Sequence, residues 1–223
     1  MPYLPRYAAW HMGHAARVLV AGVAMSFSPL APSPAHAAVP TVRCVRPAGS
    51  DLVRTTSEAV VTVEKRSSGG DPLVEATTRT WRGCFRARGV QVTLDSGTTG
   101  FGGGHSASAF RLAGAFVAFV ARDYQKADYS DDHLTVVDLD SGDRWTSEAT
   151  TGFAETAVNR RGAAAWIRTS YDAGGHMRWL LFARRPTGSV ALRYRSSLPL
   201  SDLQLTDRRL RWRENTKVRA VEL

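Results

Sequence analysis

The amino-acid sequence predicts an all-β fold built from about four antiparallel units. Short runs rich in Val, Ile, Thr and aromatic residues alternate with clusters of Gly, Asp, Ser and Pro, which is typical of strands joined by turns. An aromatic residue also recurs at a nearly constant spacing, 47 residues from Phe119 to Trp166 and 46 from Trp166 to Trp212. A repeat of this length with several strands is typical of propeller blades. We therefore expect a small propeller-like array, with an open, incomplete propeller or a β-sandwich as alternatives.

Residues 1–37 have the pattern of a secretory signal peptide. Arg6 and Arg17 are positive, residues 18–25 are apolar, and residues 35–37 match an A-x-A cleavage signal. The apolar run is shorter than the roughly 20 residues that a membrane-spanning helix needs. We therefore expect an exported protein with one β domain at residues 38–223 and no transmembrane segment in the mature chain. An uncleaved membrane anchor is the alternative.

The strand candidates follow one another in four groups. The first unit is predicted at residues 39–45, 59–63, 78–86 and 90–94, followed by a Gly-rich loop at 95–108. The second is predicted at residues 110–112, 115–120, 134–139 and 144–146, with a polar loop after residue 120. The third and fourth are predicted at residues 157–158, 163–167, 178–183, 190–194, 203–205, 210–212 and 218–221. Residues 201–214 also fit an amphipathic helix, but their agreement with the earlier units favours strands.

Two cysteines remain after the predicted cleavage site, Cys44 and Cys84. An even number of cysteines in an exported chain predicts a disulfide, and two free buried thiols are the alternative. If residues 39–45 complete the fourth unit, the disulfide would join the first unit to the last and close the ring.

Two segments carry a resemblance to a known class of protein. Residues 162–167, GAAAWI, and residues 134–142, LTVVDLDSG, resemble blades of bacterial Tol-type and WD-repeat-like β-propellers. The resemblance implies a scaffold that presents loops to partners, and it implies no catalytic residue.

Several polar side chains fall in segments that a propeller would gather on one face. These candidate ligand-face residues are His105, Asp131, Asp132, His133, Asp172 and His176. They predict either a polar or metal-ligand site or solvated loop tips. None of them shows the close spacing of metal ligands, so we predict no metal and no cofactor.

Arginines dominate the net charge of +9. Arg209, Arg211 and Arg213 alternate with apolar residues, so on a strand they would share one exposed face. Arg184 and Arg185 lie near the equivalent strand of the preceding unit. A basic surface predicts an anionic cell-envelope polymer or a protein as partner, and an edge protected from aggregation by charge is the alternative. Nothing in the sequence indicates specific nucleic-acid binding.

Taken together, these patterns predict a secreted, non-enzymatic binding or scaffold protein. One alternative is a secreted hydrolase or lyase that uses the His and Asp segments, although the chain lacks a G-x-S-x-G nucleophile motif. The other is a structural interaction module of a larger assembly.

Overall fold

The computed structural model describes residues 43–68, 76–100, 102–125 and 129–223. Within these ranges the chain forms fifteen β-strands and no helix, so the predicted all-β class is confirmed. The same ranges therefore contain no helix long and apolar enough to cross a membrane. The predicted signal peptide lies outside the described residues.

The strands form four units, and in each unit consecutive strands pair antiparallel. The first unit contains β1 (Ser50–Thr55), β2 (Ala59–Ser68), β3 (Ala76–Phe85) and β4 (Gln91–Gly100). The second contains β5 (Gly103–Ala113), β6 (Phe116–Gln125), β7 (Tyr129–Asp138) and β8 (Arg144–Thr146). The third contains β9 (Phe153–Val158), β10 (Ala164–Tyr171), β11 (Met177–Arg184) and β12 (Val190–Ser196). The fourth contains β13 (Leu200–Leu205), β14 (Arg209–Glu214) and β15 (Lys217–Glu222).

The Gly-rich segment between the first two units is a hairpin, so its prediction as a loop was wrong. The pairs Thr99–Gly104 and Gly100–Gly103 join β4 to β5, which makes the first two units one eight-stranded sheet. The glycines permit close packing here, because a Cβ on Gly97 would lie 2.3 Å from the His105 Cβ atom. Glycine is therefore needed for contact between strands and not for flexibility.

The polar segment after residue 120 is also largely strand. β6 and β7 pair through Ala121–His133, Arg122–Asp132 and Asp123–Asp131, where the sequence predicts a loop. A long hairpin therefore carries the polar residues as cross-strand neighbours.

The N-terminal segment is attached to the first unit. Cys44 and Cys84 form a disulfide with a Cα–Cα distance of 5.9 Å, which confirms the predicted pair. The Gln91 side chain donates a hydrogen bond of 2.6 Å to the Val45 carbonyl oxygen. Residues 43–47 lie in no strand, so for the described part of residues 39–45 the predicted closing strand was wrong. The disulfide links two segments of one unit, not the first unit to the fourth.

The hydrophobic cores lie between neighbouring units. Phe119, Trp166 and Trp212 are each at most 4% exposed. Each belongs to the second strand of its unit and packs in a cluster shared with the preceding unit. Full burial of such a side chain contributes about 2–3 kcal/mol. The repeated aromatic spacing in the sequence therefore marks the interfaces between units.

The two end faces of the array carry charged side chains. On β14, Leu210 and Trp212 are buried against the third unit, whereas the alternate residues are exposed arginines. On the outward side of the first unit, Glu64 forms an ion pair of 2.6 Å with Arg82. Close contacts link the first strands in the order β1, β5, β9 and β13. The fold is therefore an open, propeller-like array.

Candidate functional site

The ligand-face residues predicted from the sequence lie partly in strands and partly in a turn. His105 is in β5, and the three residues from Asp131 to His133 are in β7. Asp172 and His176 lie in the turn between β10 and β11. The β6–β7 and β10–β11 hairpins are equivalent in their two units. Residues 131–133 in the first hairpin and Asp172 and His176 in the second therefore lie towards the same end of each hairpin.

His105 lies between two carboxylates. Its Nε2 atom is 2.7 Å from Asp95 on β4, and its Nδ1 atom is 2.6 Å from Asp123 on β6. The side chain is 19% exposed, and the ring of Trp81 lies edge-on to it at 6.5 Å. Burial of the ring lowers the pKa of His105, but the hydrogen bonds and charges of Asp123 and Asp95 outweigh burial and raise that pKa above its ordinary value.

This arrangement makes His105 a link between the first and second units. A protonated imidazole has two N–H donors, and here each meets one carboxylate. No ring nitrogen is left to accept a proton from the neighbouring Ser106 or to bind a metal ion. The geometry is that of a charged crosslink between strands.

Asp132 has a different environment, because it is fully buried. Both of its carboxylate oxygens accept hydrogen bonds from Arg122, from Nε at 2.7 Å and from Nη2 at 2.8 Å. This hydrogen bond raises the pKa of Arg122 above its ordinary value, against the opposing effect of burial. The backbone of Asp132 also pairs with Thr150. Asp132 therefore fixes the segment that follows β8.

Asp172 organises the β10–β11 turn. Its Oδ1 atom accepts hydrogen bonds of 3.0 Å from the backbone N–H groups of Gly174 and His176, and its Oδ2 atom accepts one of 2.9 Å from Arg178. The backbone hydrogen bond from His176 is the main cause that lowers the pKa of Asp172. The His176 side chain itself is exposed.

The structure does not bring the three histidines into one cluster. His105 contacts Asp95 and Asp123, the His133 Nδ1 atom is 3.3 Å from the Ser147 carbonyl oxygen, and His176 lies beside Asp172. Among the described residues, no group of three metal-ligand side chains is positioned to hold an ion.

The basic residues divide into two sets. Arg209, Arg211 and Arg213 are exposed on one face of β14, the arrangement that the sequence predicts; we call this the arginine face. Arg213 forms an ion pair of 3.0 Å with Asp202. Arg184 instead lies half-buried with its guanidinium 4.6 Å from the centre of the Trp145 ring, and burial lowers its pKa. Arg185, the next residue, is exposed in the turn after β11.

Sequence reasoning missed the partners of these residues. Asp95 and Asp123 on either side of His105, and Arg122 beside Asp132, were not singled out. The signal that would have found Arg122 is the pairing register of a long β6–β7 hairpin, in which it lies opposite Asp132. The contact of Asp95 with His105 depends on how the first and second units pack together, and no local sequence pattern contains that information.

No protein-family model matches the sequence, and no curated protein matches it, so the resemblance to Tol-type and WD-repeat-like propellers has no support from these comparisons. Among solved structures, an acylaminoacyl peptidase in complex with Z-Gly-Gly-Phe-chloromethyl ketone is similar, with a TM-score of 0.47 and 10% sequence identity. The similarity covers 77% of this chain and 32% of the peptidase chain. The chain thus spans about a third of that peptidase, and we assign no residue role from it.

Proposed function

We propose that this chain is an exported, non-enzymatic binding module whose arginine face binds an anionic polymer of the cell envelope. Export is supported by the signal-peptide pattern at residues 1–37 and by the disulfide, since disulfides persist in oxidising compartments.

The observation that carries this proposal is the spacing and exposure of the arginine face. Alternate residues of a strand lie about 6.6–6.8 Å apart, so Arg209, Arg211 and Arg213 project from the sheet in a row. A row of this kind suits a polymer with regularly spaced carboxylates or phosphates, because guanidinium groups bind both in bidentate geometry.

Few carboxylates lie beside this row, although Glu222 is opposite Arg209 in the pairing of β14 with β15. Within the described residues Arg213 has an ion pair with Asp202, whereas Arg209 and Arg211 have none. The opposite side of β14 packs in the hydrophobic core, where Leu210 is fully buried. The arginines therefore remain accessible without any rearrangement of the fold.

The test compares two triple variants of equal charge. The first replaces Arg209, Arg211 and Arg213 with Gln. The control replaces Arg43, Arg54 and Arg193, which are exposed elsewhere and have no ion pair among the described residues. Binding to polyphosphate is measured by calorimetry at low and moderate salt.

We expect the arginine-face variant to weaken binding at least tenfold and to reduce its salt dependence, because fewer counterions are released. The control variant should change binding less than about threefold, through net charge alone. Equal losses in the two variants, or no binding of polyphosphate by the unmodified protein, would contradict the proposal.

A further inference from the structure

A cleft of about 510 Å³ lies between the second and third units. One side is formed by β8 and the segment after it, and the other by side chains of β10, β11 and the start of β12. The residues that line the cleft include Trp145, Ser147, Glu148, Thr150, Arg168 and Phe182. Clefts between structural units that combine aromatic walls with a few polar groups are typical ligand sites.

The aromatic wall is a stack with an arginine at each end. The centre of the Trp166 ring lies 5.8 Å from that of Trp145 and 5.6 Å from that of Phe182. The Arg184 guanidinium lies over Trp145 at 4.6 Å, and the Arg168 guanidinium lies over Phe182 at 4.8 Å. Cation–π contacts of this kind hold a charged group in place without neutralising it.

Arg168 has no counterion among the described residues of the cleft. Its Nη1 atom donates a hydrogen bond to the Thr150 hydroxyl, and its Nε atom is buried without an acceptor. Among the described residues, no carboxylate lies within ion-pair distance of Arg168 or Arg184. A recessed guanidinium without a counterion favours an anionic ligand.

The polar wall is held in place before any ligand arrives. The Ser147 hydroxyl accepts a hydrogen bond of 3.0 Å from the Leu134 N–H group, and Thr150 exchanges two backbone hydrogen bonds with the buried Asp132. A wall of this rigidity lowers the ordering cost of binding. It also presents hydroxyl groups and the exposed Glu148 carboxylate at the rim.

We propose that this cleft binds an acidic sugar residue, with the sugar carboxylate on Arg168. The ring carbons would lie against Trp145 and Phe182, and the sugar hydroxyls would hydrogen-bond with Ser147 and Thr150. An aromatic carboxylate fits less well, because it cannot use this polar rim. The cleft is separate from the arginine face, and the inference does not rest on the function proposed above.

The binding experiment uses trigalacturonate as the probe, maltotriose as the neutral control and phenylacetate as the aromatic carboxylate. Tryptophan fluorescence and calorimetry report binding to the full mature chain. We expect trigalacturonate to bind, and maltotriose to bind at least tenfold more weakly. No binding of trigalacturonate at millimolar concentration, or equal binding of maltotriose, would overturn the proposal. Tighter binding of phenylacetate would overturn the assignment to a sugar.

Two charge variants locate the site. Arg168→Gln should weaken trigalacturonate binding at least tenfold, whereas Glu148→Gln should strengthen it a few-fold, because a like charge at the rim is removed. A merely structural role of Glu148 would not produce a tighter complex. Weaker binding by Glu148→Gln, or unchanged binding by a folded Arg168→Gln variant, contradicts the proposal.

A steric pair covers the case in which Arg168→Gln does not fold. Val190→Trp places a bulky side chain at a lining residue that is 42% exposed. Leu192→Trp makes the same change two residues along β12, at a position 45% exposed that does not line the cleft. We expect loss of binding in the first and not in the second, and equal behaviour of the two would place the ligand elsewhere. The arginine-face triple variant should bind trigalacturonate in this cleft unchanged, which separates the two proposals.

Discussion

Arg122 and Asp132 form an ion pair with unequal burial. The Asp132 side chain is 1% exposed, whereas that of Arg122 is 48% exposed. Removing the arginine leaves a buried carboxylate without a partner, so Arg122→Gln should lower the free energy of unfolding by about 3 kcal/mol. Asp132→Asn should cost only about 1 kcal/mol, because the freed guanidinium can be hydrated. Urea denaturation of both variants measures the difference, and an equal or reversed order would contradict this explanation.

His105 should make stability depend on pH. Since the neighbouring carboxylates raise its pKa in the folded protein, its contribution is complete below the unfolded-state pKa of about 6.5. The contribution is then lost as the pH rises through the folded-state pKa. The unmodified protein should therefore become less stable between neutral and mildly alkaline pH.

The matched control for this effect is His105→Gln, which cannot titrate. Its urea midpoint should be lower than that of the unmodified protein at pH 6 and should change less between pH 6 and pH 8.5. Parallel pH profiles for the two proteins would show that His105 does not act as a charged crosslink.

At the scale of the element, the first strand of every unit has a break in its regular pairing. The breaks lie near Val53 in β1, Ala109 in β5, Ala154 in β9 and Asp202 in β13. Ala109 and Asp202 have positive φ angles of 54° and 55°. Bulges re-aim a strand, so this shared irregularity bends each unit where the first strands meet.

The Ala109 bulge gives a stability prediction. A non-glycine residue in this backbone region is strained, so Ala109→Gly should raise the free energy of unfolding by roughly 0.5–1 kcal/mol. Ala107→Gly in the same strand relieves no strain, so it should lower the free energy of unfolding by a similar amount. Thermal denaturation of the two variants compares them, and a loss of stability in both would rule out relief of strain at Ala109.

Local patterns predicted some strands and missed others for identifiable reasons. β10 and β14 have apolar residues at core positions, so their position follows from the sequence alone. The outer half of the β6–β7 hairpin is polar, and only the cross-strand pair of Arg122 with Asp132 explains why it remains strand. Similarly, the exposed arginine face follows from alternation on one strand, whereas the carboxylates around His105 come from two other strands and could not be predicted.

For the whole molecule, the disulfide is the covalent restraint on the first unit. It joins residues 40 positions apart, and the chain-entropy model gives about 4 kcal/mol for a loop of this length. Replacing Cys44 and Cys84 with Ala should therefore lower the free energy of unfolding by about 2–4 kcal/mol. Guanidinium denaturation of the oxidised protein and of the double variant tests this, and equal midpoints would contradict a stabilising role.

The number and order of units could be predicted because Phe119, Trp166 and Trp212 repeat. The absence of a strand at residues 43–47 could not be predicted, since it depends on where the disulfide to Cys84 holds this segment. The sequence shows that Cys44 and Cys84 can pair, but not that their bond lies within one unit.

The charged end faces also determine how copies of this chain can meet. If the outer side of the fourth unit were apolar, it would fit against the first unit of another copy. Such head-to-tail contacts do not close and would build an open helical filament. Here the arginine face lies at one end, and at the other Glu64 is already paired with Arg66 and Arg82. Charged side chains therefore lie at both ends, and a head-to-tail contact would have to remove them from water, which disfavours growth of a filament.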